Sequence, residues 1–248
     1  MATIILAYVV RKKMKYCLKT VLTIFFLSIA VHVYGQDGDD DDDSNLTVEA
    51  GADLVSSYVW RGMYQAGTSL QPSLSLSAYG FTLGSWASSD FGNFLKEVDF
   101  YIAYETKRFT VGIMDYWCRS EGDSFFKDRQ SHLFEANLGY TFSERIPLSL
   151  EINTMFAGED DRNDDGKQLY STYIAARYPF PLKNVDCEIG IGITPMNGMY
   201  YNKFHVANIT VKASKNLHFS SVYALPLFVE LSLSPAQDSA FLVFGVSF

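Results

Sequence analysis

Residues Val185-Asp186-Cys187-Glu188-Ile189-Gly190-Ile191-Gly192-Ile193 alternate with a period of two. Val185, Ile189, Ile191 and Ile193 fall on one side; Asp186, Glu188, Gly190 and Gly192 fall on the other. Successive side chains of an extended chain point to opposite faces, so this stretch is a strand with one oily and one polar face. Leu70, Leu74, Leu76 and Ala78 oppose Gln71, Ser73, Ser75 and Ser77 in the same way, and Val98, Phe100, Ile102 and Tyr104 oppose Glu97, Asp99 and Tyr101.

The period runs from residue 46 to the end and divides into twelve strands: 46–60, 70–78, 81–88, 97–105, 109–117, 132–142, 148–157, 168–178, 185–195, 203–213, 225–233 and 240–248. A soluble sandwich can show the same alternation, with its oily face turned to a core. Length separates the two readings. Most of these strands have about 9–11 residues, what a tilted strand needs to cross a bilayer, whereas sandwich strands are nearer 5–6. The connections alternate as well. Gly80, 106–108, 143–147 and 179–184 are short, although 214–224 is longer; 61–69, 89–96, 118–131, 158–167, 196–202 and 234–239 are mostly longer and more polar. The expected fold is all-β: a transmembrane antiparallel up-and-down β-barrel of about twelve strands, both termini on the side of the short turns. Tyr58, Trp60, Trp86, Tyr116 and Trp117 are expected in one interfacial girdle, and Phe109, Tyr140, Phe142, Tyr178, Phe180 and Phe248 in the other.

Composition agrees. The chain has 248 residues, 48% of them apolar, 15% aromatic and 19% charged, with a net charge of -8. Its aromatic content excludes a disordered acidic protein, and its acidity argues against nucleic acid as a partner. A mean hydropathy of +0.02 is too low for a bundle of transmembrane helices.

Residues 1–35 read as a secretory signal peptide: Arg11, Lys12, Lys13, Lys15 and Lys19, the apolar run 21–31, and a small-residue exit at Gly35. An uncleaved anchor helix is the alternative, and Met14 is a second candidate start. Removing this segment leaves 15 basic against 28 acidic side chains, a net charge of -13. Asp37 and Asp39 to Asp43 make 36–45 an acidic flexible tail before the barrel domain at 46–248. Cys118 and Cys187 fall at opposite ends of the barrel and are expected as free thiols.

The stretch Val55-Ser56-Ser57-Tyr58-Val59-Trp60-Arg61-Gly62, followed by Gln71-Pro72-Ser73-Leu74-Ser75-Leu76, resembles the TorF-type porin family, and in particular outer-membrane proteins of Bacteroides-type bacteria. The ending 241–248 is similar to the same group. The resemblance implies an outer-membrane barrel of a Gram-negative bacterium with a pore role. The aromatic end at Phe248 also resembles the signature by which such proteins engage the barrel-assembly machinery.

On these strands Glu49, Asp53, Glu97, Asp99, Glu135, Glu151, Glu188 and Glu230 face inward, against Arg61, Arg177 and Lys212. Inward is the inexpensive place, since a base facing lipid at the midplane costs about 2–4 kcal/mol. Carboxylate rings favour cations. The expectation is a porin-like channel passing small hydrophilic solutes with weak cation preference, embedded in outer-membrane lipid. A closed structural or surface-recognition barrel is one alternative, and an outer-membrane barrel hydrolase is another. Arg177 and Asp186 are expected to pair across strands. Met114, Met155, Phe228, Phe241 and Val243 also point inward, so the lumen is partly apolar.

Asp161, Asn163, Asp165 and Gly166 match the first half of an EF-hand loop, making 158–167 a candidate Ca²⁺ site, although Thr172 stands where the bidentate Glu belongs. No other cofactor is expected. After the signal only His132, His205 and His218 remain as imidazole bases, and the strand assignment keeps them apart, so no catalytic residues are assigned.

Overall fold

A computed structural model describes residues 46–92, 97–118, 124–126, 131–220 and 223–248. The signal peptide and acidic tail expected at 1–35 and 36–45 lie outside the described residues, as does most of the connection 119–131.

Fourteen strands follow in chain order: β1 (Leu46–Val55), β2 (Tyr58–Trp60), β3 (Met63–Ala66), β4 (Ser69–Ala78), β5 (Phe81–Asp90), β6 (Glu97–Glu105), β7 (Phe109–Cys118), β8 (His132–Thr141), β9 (Ser149–Gly158), β10 (Thr172–Leu182), β11 (Val185–Thr194), β12 (His205–His218), β13 (Ala224–Ser234) and β14 (Ser239–Ser247). Twelve of them close an antiparallel barrel, each pairing with its neighbour, with β1 between β4 and β14. Closure joins the first and last strands, so an apolar all-β chain can stand without a second layer.

One end of the wall carries tight connections, with 79–80, 106–108 and 183–184 the shortest. The other carries the long ones, including 159–171 and 195–204. We call these the turn end and the loop end.

The oily residues are outside. Leu74, Leu83, Ile102, Ile113, Leu138, Ile152, Ile191, Val211, Leu231 and Phe244 are all exposed, where in a sandwich they would form the core. An exposed apolar surface of this extent is far beyond the few hundred Å² that water-facing monomers tolerate. At the turn end Phe109, Phe142, Tyr178 and Phe248 are exposed, and Phe109 packs on Tyr140 at 4.7 Å. The expected turn-end band is therefore present.

At the loop end the outer aromatics are mostly not the expected ones: Phe125, Phe134 and Phe156 stand there with Trp117. Trp60 packs on Tyr116 at 5.6 Å and Tyr58 on Trp86 at 5.4 Å, all four inside the barrel. Of the five residues expected there, only Trp117 lies on the outer face, against Phe125. Trp86 and Tyr116 face inward with Asp99, their register partner; for Tyr58 and Trp60 the reason is a second departure from expectation. Strand 46–60 ends at Val55, and β2 and β3 leave the wall as a separate hairpin. The remaining wall strands match their expected positions to within a few residues, with β10 and β12 running four and five residues further toward the turn end than expected.

Cys118 and Cys187 are both free.

Candidate functional site

The hairpin β2–β3 turns through Arg61 and Gly62, at φ 50° and 82°. Positive φ at both central residues of a two-residue loop is the tight hairpin geometry that suits strand twist. The tip presses against the inner wall. A Cβ on Gly62 would lie 2.9 Å from Ala207 O, Asn208 Cβ and Ser234 Oγ, so only glycine fits between the hairpin and strands β12 and β13.

This seating delivers Arg61 into the lumen. Its Nη1 and Nη2 donate to Glu135 Oε1 and Oε2 at 2.6 and 2.9 Å, and Nη1 also donates to the Tyr200 hydroxyl oxygen. The guanidinium carbon lies 4.6 Å from the ring centres of both Trp60 and Tyr173. A planar cation between two aromatic faces with a forked carboxylate in plane uses every recognition mode that Arg has.

Glu135 is equally complete. Tyr116 Oη and Asn137 Nδ2 donate to Oε2 at 2.8 Å each, and Asn137 Nδ2 also donates to Asn153 Oδ1 at 2.8 Å. Four donors around one carboxylate offset the cost of taking it out of water. Burial alone would push the Arg61 guanidinium down, but Tyr200, Glu135 and Tyr116 outweigh it and keep it protonated. Burial holds the Tyr200 phenol above its ordinary range, with Arg61 pulling the other way, so it is a neutral hydroxyl at pH 7.

The connection 195–204 supplies Tyr200 and Met199 from above. It is pinned to 159–171 through Ser171, whose hydroxyl accepts from Met199 N at 2.7 Å and donates to Asp161 Oδ1. Glu135 and Met155 have no exposed surface and Tyr200 only 2%. The loop half of the lumen is thus packed like a protein core.

The turn half is wet. Side chains of Glu151, Arg177 and Glu188 are about a third exposed. Arg177 pairs with Glu151 through Nη1 and lies 3.9 Å from Glu188. The expected partner Asp186 stands opposite Pro181, while Arg177 faces Gly190. A long side chain on a twisted sheet reaches diagonal neighbours two positions along, and those are the two glutamates. Lys212 stands in register between Glu188 and Glu230, with its ammonium 4.4 Å from the Phe228 ring centre. Glu49 and Asp53 lie on the same inner face of β1.

Glu97 and Asp99 belong to the packed half. Glu97 stands in register with Cys118 and lies beside Tyr58 of the hairpin. Asp99 is 3% exposed, with Oδ1 unpartnered. Of the eleven residues expected to line the lumen, ten sit on the wall, and Arg61 sits on the hairpin that fills it. The hairpin had a signal in the sequence: a fifteen-residue first strand is too long for one crossing, and Ser56 breaks the oily face.

In the loop 159–171, Asp161 is buried and accepts from Ser171 N, Ser171 Oγ and Gln168 Nε2. Asn163 Oδ1 accepts from Asp165 N at 3.1 Å and Lys167 N at 2.8 Å. These oxygens serve the protein's own donors. Among the described residues no three His, Cys, Asp or Glu side chains gather as a metal requires.

His132 holds Asp115 through Nδ1 at 2.9 Å and the Phe125 carbonyl oxygen through Nε2 at 3.0 Å. Both ring nitrogens are thus engaged by acceptors of the protein itself. His205 is turned to Val206 O, and His218 ends β12 at the turn end.

The class that these features define is a closed twelve-stranded antiparallel barrel with an internal hairpin plug. No family model matches the chain, and no curated protein matches it, so the likeness to TorF-type and Bacteroides-type proteins is not carried by any comparison. Among solved structures a similar one is an outer membrane channel from Pseudomonas putida F1. It is 13% identical, covers 84% of this chain and 98% of that one, and gives a TM-score of 0.39. Nothing about function follows from a likeness at that score.

Proposed function

We propose that the protein is a gated outer-membrane channel of a Gram-negative bacterium, closed at rest by the β2–β3 hairpin and favouring cations when open. One observation carries this reading. The barrel has an oily exterior and a charged interior, and the plug, besides the aromatic packing of Tyr58 and Trp60, is tied to the wall by a buried ion pair, Arg61–Glu135. A lumen meant only as a solid core would be filled more cheaply with hydrocarbon, because a buried ion pair is seldom more stable than well-packed apolar residues. A plug held by polar contacts can leave and return.

The wet turn-end vestibule then opens to the periplasm, with Glu49, Asp53, Glu151, Glu188 and Glu230 against Arg177 and Lys212. That excess of carboxylates favours small hydrophilic cations. Outer-membrane lipid covers the exterior, and Phe248 is the contact offered to the assembly machinery.

The test is conductance of the refolded chain in planar bilayers. Wild type should open rarely. A variant with residues 57–67 replaced by a short Gly-Ser linker should conduct steadily and give cation-selective reversal potentials. A shortened barrel that inserts but carries no current establishes the closed structural alternative instead.

A further inference from the structure

On the outer face, an apolar trough of about 680 Å³ crosses the seam where the barrel closes. It follows a row of register partners: Leu54 opposite Val246, Val246 opposite Leu227, and Leu227 opposite Lys215, with Val185 one step beyond the Asp186–Ser214 pair. All five share the outward face. The second row, Phe244, Val229 and Ala213, runs parallel to the first, and the methyl of Ala213 gives the trough depth beside Lys215.

The trough is inclined. Val185 begins β11 at the turn rim and Lys215 lies three residues from the end of β12, whereas Leu54 is eight residues above the start of β1. It therefore climbs from the turn rim to the middle of the wall. Four interstrand steps of about 4.8 Å make it about 19 Å long, the reach of an extended fatty acyl chain.

Its lower end carries a charge. Of the three basic residues on the wall strands, Arg177 and Lys212 face inward to glutamates, and Lys215 alone shares the outward face. Lys215 is exposed and makes no ion pair with any described residue. At the upper end the polar groups are already used: Ser56 Oγ accepts from Phe244 N at 3.0 Å and Ser56 O from Thr68 Oγ1 at 3.2 Å. The one unsatisfied polar group is thus a cation at the rim, with hydrocarbon surface leading away from it.

We infer that this trough is a binding site for one anionic phospholipid, its phosphate on Lys215 and one acyl chain lying along Leu227 and Val246 toward Leu54. The inference rests on the membrane reading above, since the ligand must come from the leaflet on the turn side. Its consequence is structural: β1 and β14 share a short register, and a bound chain would cover that joint.

The experiment is native mass spectrometry of the refolded full chain, released from micelles with phosphatidylglycerol, phosphatidylcholine or inorganic phosphate. One phosphatidylglycerol should be retained per barrel, phosphatidylcholine less, and inorganic phosphate not at all. Lys215→Glu and Ala213→Phe should each weaken retention about tenfold, with Val229→Trp as a second groove-filling change and heat-shifted gel mobility as the check of a closed barrel. Loss with Lys215→Glu but not with the filled trough means a bare headgroup attraction and overturns the site, as does the converse, or retention of no lipid. A chain that stays monodisperse in plain buffer removes the membrane reading itself, a distinguishable failure.

Discussion

Arg61 and Glu135, 74 residues apart in sequence, meet as a two-point ion pair with side-chain exposures of 11% and 0%. Removing one partner strands the other charge in a packed interior. Arg61→Ala and Glu135→Leu should each cost about 3–5 kcal/mol, whereas Arg61→Met combined with Glu135→Leu should recover most of it. Urea unfolding in micelles, followed by tryptophan fluorescence, reads all three. Single variants as stable as wild type would show that the hairpin is not seated as described.

Gly62 controls the same seating by shape. At φ 82°, and with any added Cβ 2.9 Å from three wall atoms, Gly62→Val leaves no room for the tip. In a background where Trp86 and Trp117 are Phe, Trp60 emission should shift to the red as its ring leaves the lumen. Unchanged emission would mean that the wall yields instead of the hairpin.

Selectivity should follow the vestibule charges. In the hairpin-shortened barrel, Glu188→Gln with Glu230→Gln should lower cation preference, and Arg177→Gln should raise it by releasing Glu151 and Glu188. Reversal potentials across a salt gradient measure both. Equal shifts in the same direction would detach selectivity from these residues.

The wall was legible in the sequence because period two survives any detail of packing: which residues face out depends only on parity. Val98, Phe100 and Ile102 illustrate it. The plug was hidden by the same rule. Tyr58 and Trp60 continue the parity of Leu54, so alternation alone extends β1 through them, although they turn inside. Which diagonal partner Arg177 takes was also beyond parity, because it depends on twist. The acidic spacing of 158–167 suits a cation loop, and whether an oxygen points to an ion or to a neighbouring amide is a matter of backbone conformation, which spacing alone does not fix. Asp161 points to Ser171.

That carboxylate yields its own prediction. Asp161→Ala leaves Ser171 N and Gln168 Nε2 without their acceptor, at a cost of about 1–3 kcal/mol for the buried amide. The connection 159–171 should then open locally, and trypsin should cut at Arg162 and Lys167 faster in D161A than in wild type. Calcium at millimolar levels should leave wild-type cleavage unchanged if Asp161 serves Ser171 alone; protection by calcium would establish the metal reading of the loop.

Closure gives the last prediction. β1 and β14 pair directly only from Asp53–Ser247 to Val55–Gly245, and the joint is extended by Ala52 and Phe248, which exchange N–H···O bonds of 3.2 and 2.9 Å. Deleting Phe248 removes that rung and one member of the turn-end aromatic band together. An unpaired edge in lipid leaves backbone groups without any partner, each costing several kcal/mol, so the shortened chain should close in much lower yield. Phe248→Ala keeps the backbone rung and should close in vitro nearly as wild type does, yet fall behind in cells if the ring is what the assembly machinery reads. Heat-shifted gel mobility after refolding, and the same gel on isolated outer membranes, separate the two effects. Equal yields for the deletion and for wild type would show that the joint is held elsewhere.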